Sequence, residues 1–519
     1  MIWSLRTRGR PLPPGPRPLP IIGNLLDMPS LRQWLGFRDL CSKHGAYISY
    51  SCNLNADNIT GEIVYLDILG KPVLIVGSVR AATEILEKRS ANTSDRTPSH
   101  LLPLIGNDIA FSVMRYGQWW RDHRRAFWQV LHPGQLSRYH DVERGLAHEL
   151  LARLLDSPQD SKQHLRFILS AISMKVLYGL DANRVENGEL IGMAQEALRC
   201  TTDLATRTHP VDVVPFLRHL PGWVPGAGFQ YALAKCKAAV MHLKEVPFAK
   251  AKAAYGQYQP CAIAALLARM QALGEQDNVG DTYQEDVIKN VGLAAFEGAD
   301  TTFYSLLGLF LAVSRFPEVQ AKAHAELDRV VGPDRLPDFE DSKELVYINA
   351  LIKEALRWHV VLPLALPHRT VEDDVYNGYF IPAGTMILPN TWAMLHDPEV
   401  YDSPEEFRPE RFIRNGRITT TARDGSTFSF GYGRRRVLCP GRYYADDLLY
   451  ITVASALHVF QFGPPLDEQG QPVKIELRQS HGLVSYPEDY RCTIKPRSAE
   501  AANLVLNAQA ASEGKTVES

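Results

Sequence analysis

A glycine- and arginine-rich segment near the carboxyl end contains the cysteine with the most chemically active setting in the chain. The segment reads FGYGRRRVLCPG from Phe430 to Gly441, with Cys439 before Pro440. Glycines let the backbone approach a flat ligand closely, and arginines bind carboxylates through paired hydrogen bonds. A cysteine just before a helix and close to arginines is expected to be a thiolate, the form that binds metals. Cys439 is therefore a candidate metal ligand, and a buried structural cysteine is the alternative.

An acid and an alcohol are adjacent within the longest apolar helical pattern, at about residues 284–315. The segment reads FEGADTT, from Phe296 to Thr302. The hydroxyl of Thr301 can bond the carbonyl four residues back, at Glu297, and so bend the helix and open a groove for water. Buried acids and alcohols are costly unless they are satisfied, so Asp300 and Thr301 suggest proton transfer. A helix kink without a catalytic task is the alternative.

Two further segments offer arginines to a carboxylate or a cofactor. In KEALR, Glu354 and Arg357 are i,i+3 neighbours on one helix face, and an ordinary solvated pair is the simpler interpretation of that segment alone. The segment FRPERF, residues 407–412, adds Arg411, which could join the same carboxylate. In QWWRDHRR, Trp120 and Arg124 share one face of a basic amphipathic helix.

The composition indicates an ordinary globular protein with no general attraction to nucleic acid. The 519 residues are 45% hydrophobic and 22% charged, and the net charge is −2. The seven cysteines are scattered and include no CxxC pair, which argues against a disulfide framework and a zinc site and favours a reducing compartment. Residues 1–20 form a short basic start and a stiff proline-rich strut, with no apolar run long enough for a membrane anchor.

Small β-regions and long helices must position these residues. A β-branched run at 63–77 predicts a hairpin, and three- and four-residue apolar spacing predicts helices from about 79 to 360. Short strands are expected from Pro363 to about Leu388, then a loop-rich stretch to about 438 and a helix at about 442–460. Residues 498–519 are predicted to be a disordered tail. The fold class is mainly α with small β-sheets.

Together, in this order and at these spacings, the FEGADTT helix, the Glu-x-x-Arg pair, the PERF segment and the Cys-Pro-Gly loop resemble the cytochrome P450 superfamily. The resemblance runs from the proline strut to about residue 495, and the layout is most similar to fungal P450s of secondary metabolism. It implies the P450 fold with one haem domain over residues 21–497. It also implies haem as the cofactor, with Cys439 as the thiolate ligand of the iron.

The resemblance implies a role for each matching residue. Glu354, Arg357 and Arg411 would form a buried triad that braces the haem-binding core. Asp300 and Thr301 would deliver protons during oxygen activation. The haem would contact residues from the helix, the sheet and the cysteine loop: Trp120, Arg124, His368, Phe430, Arg435, Arg436 and Gly441. The substrate would lie above the haem against Ala294, Glu297, Gly298, Val361 and Leu364.

The implied activity is insertion of one oxygen atom of O2 into a hydrophobic small molecule, a terpenoid or polycyclic secondary metabolite. Electrons would come from NADPH through a cytochrome P450 reductase, which would dock on a basic patch of Arg121, Arg125, Arg434 and Arg442. The resemblance places the protein at the cytosolic face of the endoplasmic reticulum, as a monomer with peripheral membrane contact and no nucleic-acid partner. The alternatives are an aromatic or indole-amine hydroxylase, a peroxide-driven enzyme, and an inactive P450-like protein.

Three features depart from the family pattern. Phe430 stands two residues further from Cys439 than in family members, and Val437 replaces the usual arginine. Residues 46–60 are an insertion, which we interpret as a surface loop or an unspliced intron. Glu297 stands where the family has Ala or Gly, and either bonds a neighbour or turns away, or orients a polar or amine-bearing substrate.

Overall fold

Long helices make up most of the structure. The computed structural model describes residues 9–44, 61–205, 210–255, 261–274, 281–419, 428–433 and 439–517. Its longer helices are α1 Gln33–His44, α2 Gln118–Leu131, α3 His140–Asp156, α4 Ser161–Tyr178, α5 Gly188–Ala205, α6 Phe229–Ala253, α7 Ala262–Gly274, α8 Asp281–Arg315, α9 Pro317–Val330, α10 Val346–Trp358, α11 Arg442–Val459 and α12 Ala499–Val517. Short helices include Val79–Ala82, Ser90–Thr93, Pro133–Leu136, Pro210–Val213 and Thr391–Leu395.

The strands form one small mixed sheet and three separate two-stranded sheets. Their bounds are β1 Ile63–Ile68, β2 Lys71–Val76, β3 His368–Arg369, β4 Asp374–Tyr376, β5 Tyr379–Ile381, β6 Met386–Pro389, β7 Ile413–Arg414, β8 Arg417–Ile418, β9 Phe460–Gly463 and β10 Thr493–Pro496. The main sheet has the order β1-β2-β6-β3, in which only β2 and β6 are parallel. The pairs β4–β5, β7–β8 and β9–β10 are antiparallel. The predicted mainly α class with small sheets is confirmed.

Asn-Gly and Leu-Gly dipeptides set the turns of three hairpins. Asn377-Gly378 joins β4 to β5 and Asn415-Gly416 joins β7 to β8, and all four residues have positive φ. Two consecutive positive φ angles give the turn whose twist matches that of antiparallel strands, and Asn and Gly tolerate them best. Leu69-Gly70 adopts the same signs between β1 and β2, which confirms the hairpin predicted at 63–77.

Helix α8 runs through the centre of the helical core. It is 35 residues long and packs against α2, α4, α6, α7, α10 and α11. Residues 306–313 are apolar on every side, with Leu306, Leu307 and Phe310 almost fully buried. A helical stretch that is apolar all round belongs in the interior, surrounded by other helices. The sequence of this stretch therefore accounts for its central position.

The proline-rich strut lies against the strands. The Pro14 carbonyl accepts the Tyr65 N–H at 2.8 Å, and the Pro11 carbonyl accepts the Phe380 N–H at 2.7 Å. A side chain at Gly15 would collide with the Tyr65 carbonyl, so glycine is required for this close approach. Among the described residues, no helix is both long and apolar enough to cross a membrane. The insertion at 46–60 lies outside the described residues.

Two sequence expectations about the periphery are wrong. Residues 499–517, expected within a disordered tail, form α12, which packs on α3 and α11. Its Ala501 and Val505 are four residues apart and buried, so an apolar stripe and alanine-rich helix propensity outweigh the polar composition. Cys200 of α5 and Cys236 of α6 form a disulfide, although no pairing was expected. Scattered cysteines reveal no partner until the fold brings two helices together.

Candidate active site

Cys439 lies immediately before α11, at the point where the chain turns into the helix. Its carbonyl accepts the Arg442 N–H at 2.9 Å, and its side chain is only partly exposed. Burial raises the pKa of the thiol to about 11, although the Gly441 N–H, Arg124 and Arg442 act to lower it. Burial therefore opposes the thiolate form that the helix and the arginines favour, and a bound metal ion would favour the thiolate.

An internal space borders the middle of α8. Gly298 is exposed although it lies in the central helix, and no atom lies within 4 Å of the place that a Cβ would take there. Ala294 and Thr301, which share its face of the helix, are also partly exposed. Small side chains beside open space on α8, together with a partly exposed thiol that has arginines nearby, would suit a flat iron porphyrin with carboxylate substituents. The residues present are therefore compatible with haem.

Helix α2 brings a cation and an indole towards the cysteine. The Arg124 guanidinium is 6.0 Å from the centre of the Trp120 ring. Burial lowers the pKa of Arg124 to about 10, and the nearby Cys439 acts to raise it. A partly buried guanidinium close to the cysteine would suit the binding of an anionic ligand.

Other expected haem contacts lie on the sheet and around the cysteine. His368 of β3 is buried, and its Nδ1 is 2.8 Å from the Thr93 carbonyl. Phe430 lies below the Arg442 guanidinium, 5.4 Å from ring centre to carbon. A Cβ at Gly441 would lie 3.7 Å from both the Cys439 sulfur and Phe127. Arg434, Arg435, Arg436 and Val437 lie outside the described residues.

Glu354, Arg357 and Arg411 form one buried ion-paired cluster. Glu354 and Arg357 have no exposed side-chain surface, and their closest nitrogen and oxygen are 2.7 Å apart. Arg411 Nε lies 3.1 Å from the same carboxylate, which also accepts the Arg408 N–H at 2.8 Å. The interpretation of Glu354 and Arg357 as a solvated pair is wrong, because α10 packs this face against the 402–412 segment.

The alcohol of the FEGADTT segment bonds a different carbonyl from the one expected. Thr301 Oγ1 donates to the Gly298 carbonyl at 2.8 Å, three residues back, and not to that of Glu297. This shorter reach keeps the hydroxyl beside Gly298, at the internal space. The bond leaves the oxygen lone pairs of Thr301 available to accept from a group within that space.

Asp300 is ion-paired with an arginine that the sequence analysis missed. Arg166 of α4 lies 2.8 Å from the Asp300 carboxylate and donates to the Tyr304 hydroxyl at 3.2 Å. Burial raises the pKa of Asp300, although Arg166 and Tyr304 act to lower it. The Arg166 guanidinium also stacks 4.1 Å from the centre of the Phe303 ring. No local pattern could have revealed this pair, because 134 residues separate its members.

Glu297 makes no hydrogen bond or ion pair within the described residues. A bond to a neighbouring side chain therefore does not account for a glutamate at this position. Burial, together with the nearby Asp300, raises its pKa to about 8. The buried Tyr178 hydroxyl interacts electrostatically with it and likewise has no hydrogen-bond partner among the described residues. A carboxyl group without a partner therefore stands one residue from Gly298.

The remaining predicted pocket and docking residues are more dispersed. Val361 is nearly buried in the helical core, and its carbonyl accepts the Ser485 N–H at 2.8 Å. Leu364 is partly buried and packs towards the sheet. Arg121 and Arg125 are exposed on α2, where they interact with Gln118 and Asp122.

Comparisons with known proteins give one consistent result. The family model described as cytochrome P450 matches residues 13–493. Cytochrome P450 monooxygenase COX1 of Coprinopsis cinerea is 36% identical over 512 residues, 97% of this chain and 94% of that protein. Cytochrome P450 monooxygenase 98 of Postia placenta is 35% identical over 97% of this chain and 94% of that protein. Tryptamine 4-monooxygenase of Psilocybe cyanescens is 34% identical, covering 96% of both chains.

Proposed function

The chain belongs to the cytochrome P450 family and is a monooxygenase, and we propose that it hydroxylates a terpenoid or polycyclic small molecule with electrons from NADPH through a separate reductase. The observation that supports this proposal is the internal space beside α8, bordered by Gly298 and Thr301 and accompanied by a partly exposed Cys439. Haem bound through the Cys439 sulfur supplies the chemistry of oxygen activation.

The chain positions this cofactor and shields it from water. Arg124 and Trp120 of α2 would bind its carboxylates, with His368 of β3 as a further donor. The Glu354–Arg357–Arg411 cluster ties α10 to the segment that ends at Phe412, and so stiffens the region before the cysteine loop. In the proposed pocket, the apolar residues Ala294, Val361 and Leu364 would favour a hydrophobic substrate and exclude competing water.

Protons would reach the internal space along α8. Thr301 holds its hydroxyl at the space through the bond to Gly298, and can pass on a proton that it accepts from another donor. Asp300 holds an acidic group one residue away, kept near Arg166 and Tyr304. Because burial raises the pKa of Asp300 while Arg166 opposes the rise, this carboxyl is suited to proton exchange nearer neutral pH.

The reductase would dock where α2 presents Arg121 and Arg125, with Arg442 at the start of α11 beside them in the predicted patch. An exposed basic patch steers an acidic partner and aligns the docked pair. We place the enzyme at the cytosolic face of the endoplasmic reticulum, where such a reductase would meet it.

The test is reconstitution of the haem-loaded chain with a fungal NADPH–P450 reductase and candidate terpenoids under isotopically labelled O2. We expect one labelled oxygen atom in each hydroxylated product, and turnover that requires both NADPH and reductase. Turnover with hydrogen peroxide at the same rate and without reductase would identify a peroxide-driven enzyme instead. No turnover with any of these oxidants would support the inactive P450-like alternative.

Glu297 favours a second candidate substrate class, an aromatic amine. A protonated amine would give this unpaired carboxyl an ion partner inside the pocket, where a charge–charge hydrogen bond is strong. The similar tryptamine 4-monooxygenase is named for such a substrate. Neither neighbouring ionisable group would replace the amine as the ion partner of Glu297. Arg166 is engaged with Asp300 and Tyr304, and Tyr178 is neutral.

Spectral titration of the haem-loaded chain with tryptamine and with uncharged indole tests the amine hypothesis. The pKa of Glu297 is about 8, so the fraction of ionised carboxylate increases up to that pH. Tryptamine affinity should therefore rise between about pH 6 and pH 8, while indole affinity stays constant. The substitution Glu297→Gln should abolish the rise for tryptamine and leave indole unchanged. Equal pH dependence of the two ligands would contradict the hypothesis.

A further inference from the structure

Three ligand-type side chains meet between α3 and α11, away from the residues assigned above. His140 and Glu143 are i,i+3 neighbours at the start of α3, and Asp447 lies in the second turn of α11. The imidazole nitrogen and one oxygen of each carboxylate all lie within 4.8 Å of one another. We propose that His140, Glu143 and Asp447 bind one divalent metal ion of the zinc type.

The distances suit a metal ion at the centre of the cluster. Zinc binds nitrogen and oxygen at about 2.0–2.2 Å, which places two ligands of one ion about 3.0–3.5 Å apart. His140 Nε2 and Asp447 Oδ2 are 3.4 Å apart. The Glu143 oxygen lies within 4.8 Å of both atoms, so a change in its side-chain torsion angles would bring the third ligand into the same range. The His140 ring is fixed by stacking on Phe339, with ring centres 3.7 Å apart.

Glu143 supplies the independent reason to expect a ligand. Its side chain has no exposed surface, and neither carboxylate oxygen has a hydrogen-bond partner among the described residues. The buried Tyr444 hydroxyl, which interacts electrostatically with Glu143 and Asp447, also lacks a partner there. Buried polar atoms are nearly always satisfied, so this group of unsatisfied oxygens indicates a missing cation or its bound water.

The charges of the cluster fit the same conclusion. Within the described part of the chain, no lysine or arginine forms an ion pair with Glu143 or Asp447, although Arg144 is adjacent in sequence and pairs with Asp141 and Asp338. Without a lysine or arginine beside them, the two carboxyls could balance the charge of a divalent ion that displaces their protons.

The ligand types narrow the choice of metal. One imidazole with two carboxylates suits Zn²⁺ and related transition ions, whereas Ca²⁺ and Mg²⁺ prefer oxygen ligands alone. Three protein ligands leave a coordination position for water, which would satisfy the Tyr444 hydroxyl. His140 and Asp447 have about a quarter of their side-chain surface exposed, at 25% and 29%, so an ion can enter. Such an ion would join α3 to the helix that follows Cys439.

The experiment is calorimetric titration of the haem-loaded full chain with Zn²⁺ after treatment with a chelator, with Ca²⁺ and Mg²⁺ as comparison ions. Metal content per haem is measured on the same samples. The ligand variants are Glu143→Gln, His140→Gln and Asp447→Asn. The matched control is Asp141→Asn, which changes a carboxylate in the same turn of α3 whose side chain is 90% exposed.

We expect one Zn²⁺ per chain, little response to Ca²⁺ or Mg²⁺, and a higher unfolding temperature with Zn²⁺ bound. Each ligand variant should weaken Zn²⁺ binding by more than about tenfold, since even a residue that only supports a metal ligand has an effect of that size. The control should bind as the wild type does.

Absence of Zn²⁺ binding by the wild-type chain would overturn the proposal and indicate two carboxyls that share a proton. Undiminished binding by His140→Gln and Asp447→Asn would overturn it as well. These two positions are partly exposed, so they decide the question even if Glu143→Gln does not fold.

Discussion

Replacement of Arg357 by methionine tests the buried cluster most severely. The Arg357 guanidinium donates to both oxygens of Glu354 at 2.7 and 2.8 Å, and to the Leu395 and Glu406 carbonyls at 3.0 and 3.1 Å. In Arg357→Met the carboxylate keeps only Arg411 and the Arg408 N–H, and the two carbonyls lose donors. Methionine fills a similar volume, so the loss is mainly electrostatic.

The expected cost is large in relation to the stability of the protein. Removal of one partner from a buried ion pair costs about 3–5 kcal/mol, and each buried carbonyl left without a donor adds about 1–3 kcal/mol. Total stabilities are about 5–15 kcal/mol, so Arg357→Met should unfold at far lower urea concentration and yield little haem-loaded protein. Urea unfolding followed by circular dichroism and haem absorbance measures the difference.

Arg408→Met is the matched control. The side chain of Arg408 is 39% exposed and pairs with Asp402, which is 83% exposed, at 3.2 Å. Such a pair contributes about 0–1 kcal/mol, and the Arg408 backbone N–H remains in place. Adding Glu354→Gln to Arg357→Met should recover part of the loss, because an amide carries no charge. If Arg357→Met lowers the free energy of unfolding no more than Arg408→Met does, the buried cluster does not have the proposed role.

Three further predictions follow from particular contacts. Gly308→Ala should lower the free energy of unfolding by about 1–3 kcal/mol, because the added Cβ would lie 2.9 Å from the Cβ of the buried His359 and closer to its ring. In thermal unfolding, the double variant Gly308→Ala/His359→Ala should lose less free energy than the two single variants combined. Burial lowers the pKa of His359 to about 4, so the folded chain binds fewer protons than the unfolded chain below a pH of about 6.5. The unfolding temperature should therefore fall as the pH drops from about 6.5 to 4, and His359→Gln should reduce that fall. Arg166→Leu removes the cation that lowers the pKa of Asp300, so the pH profile of product formation should move to higher pH; an unchanged profile would argue against a proton-transfer role for Asp300.

Local sequence patterns predicted most of the helices and strands, because these elements depend mainly on residues that are close in the sequence. The alternating β-branched run at 63–77 and the apolar spacing at 442–460 correspond to a hairpin and to α11 within a residue or two. Both inferences follow from residue spacing alone. The resemblance placed Gly298 beside the substrate, and Gly298 is exposed within the central helix.

Local patterns alone could not reveal burial and long-range partners, although the family resemblance did imply the buried Glu354–Arg357–Arg411 triad. The i,i+3 spacing of Glu354 and Arg357 is the same on a solvated helix and on a buried one, so it could not reveal that both side chains are fully buried. The partner of Asp300 lies on another helix, 134 residues away. Cys200 and Cys236 are paired only because α5 packs on α6. The pKa of Cys439 depends on its burial in the fold, which outweighs the nearby arginines.

The absorption spectrum of the reduced, carbon monoxide-bound protein tests the central claim most directly. The wild-type chain should bind one haem and show the red-shifted Soret band of thiolate ligation, and Cys439→Ser should lose that band. Haem content is measured in parallel, so that loss of the ligand is distinguished from loss of the cofactor. A wild-type chain that binds no haem, or a Cys439→Ser variant that keeps the red-shifted band, would contradict the assignment of Cys439 as the ligand.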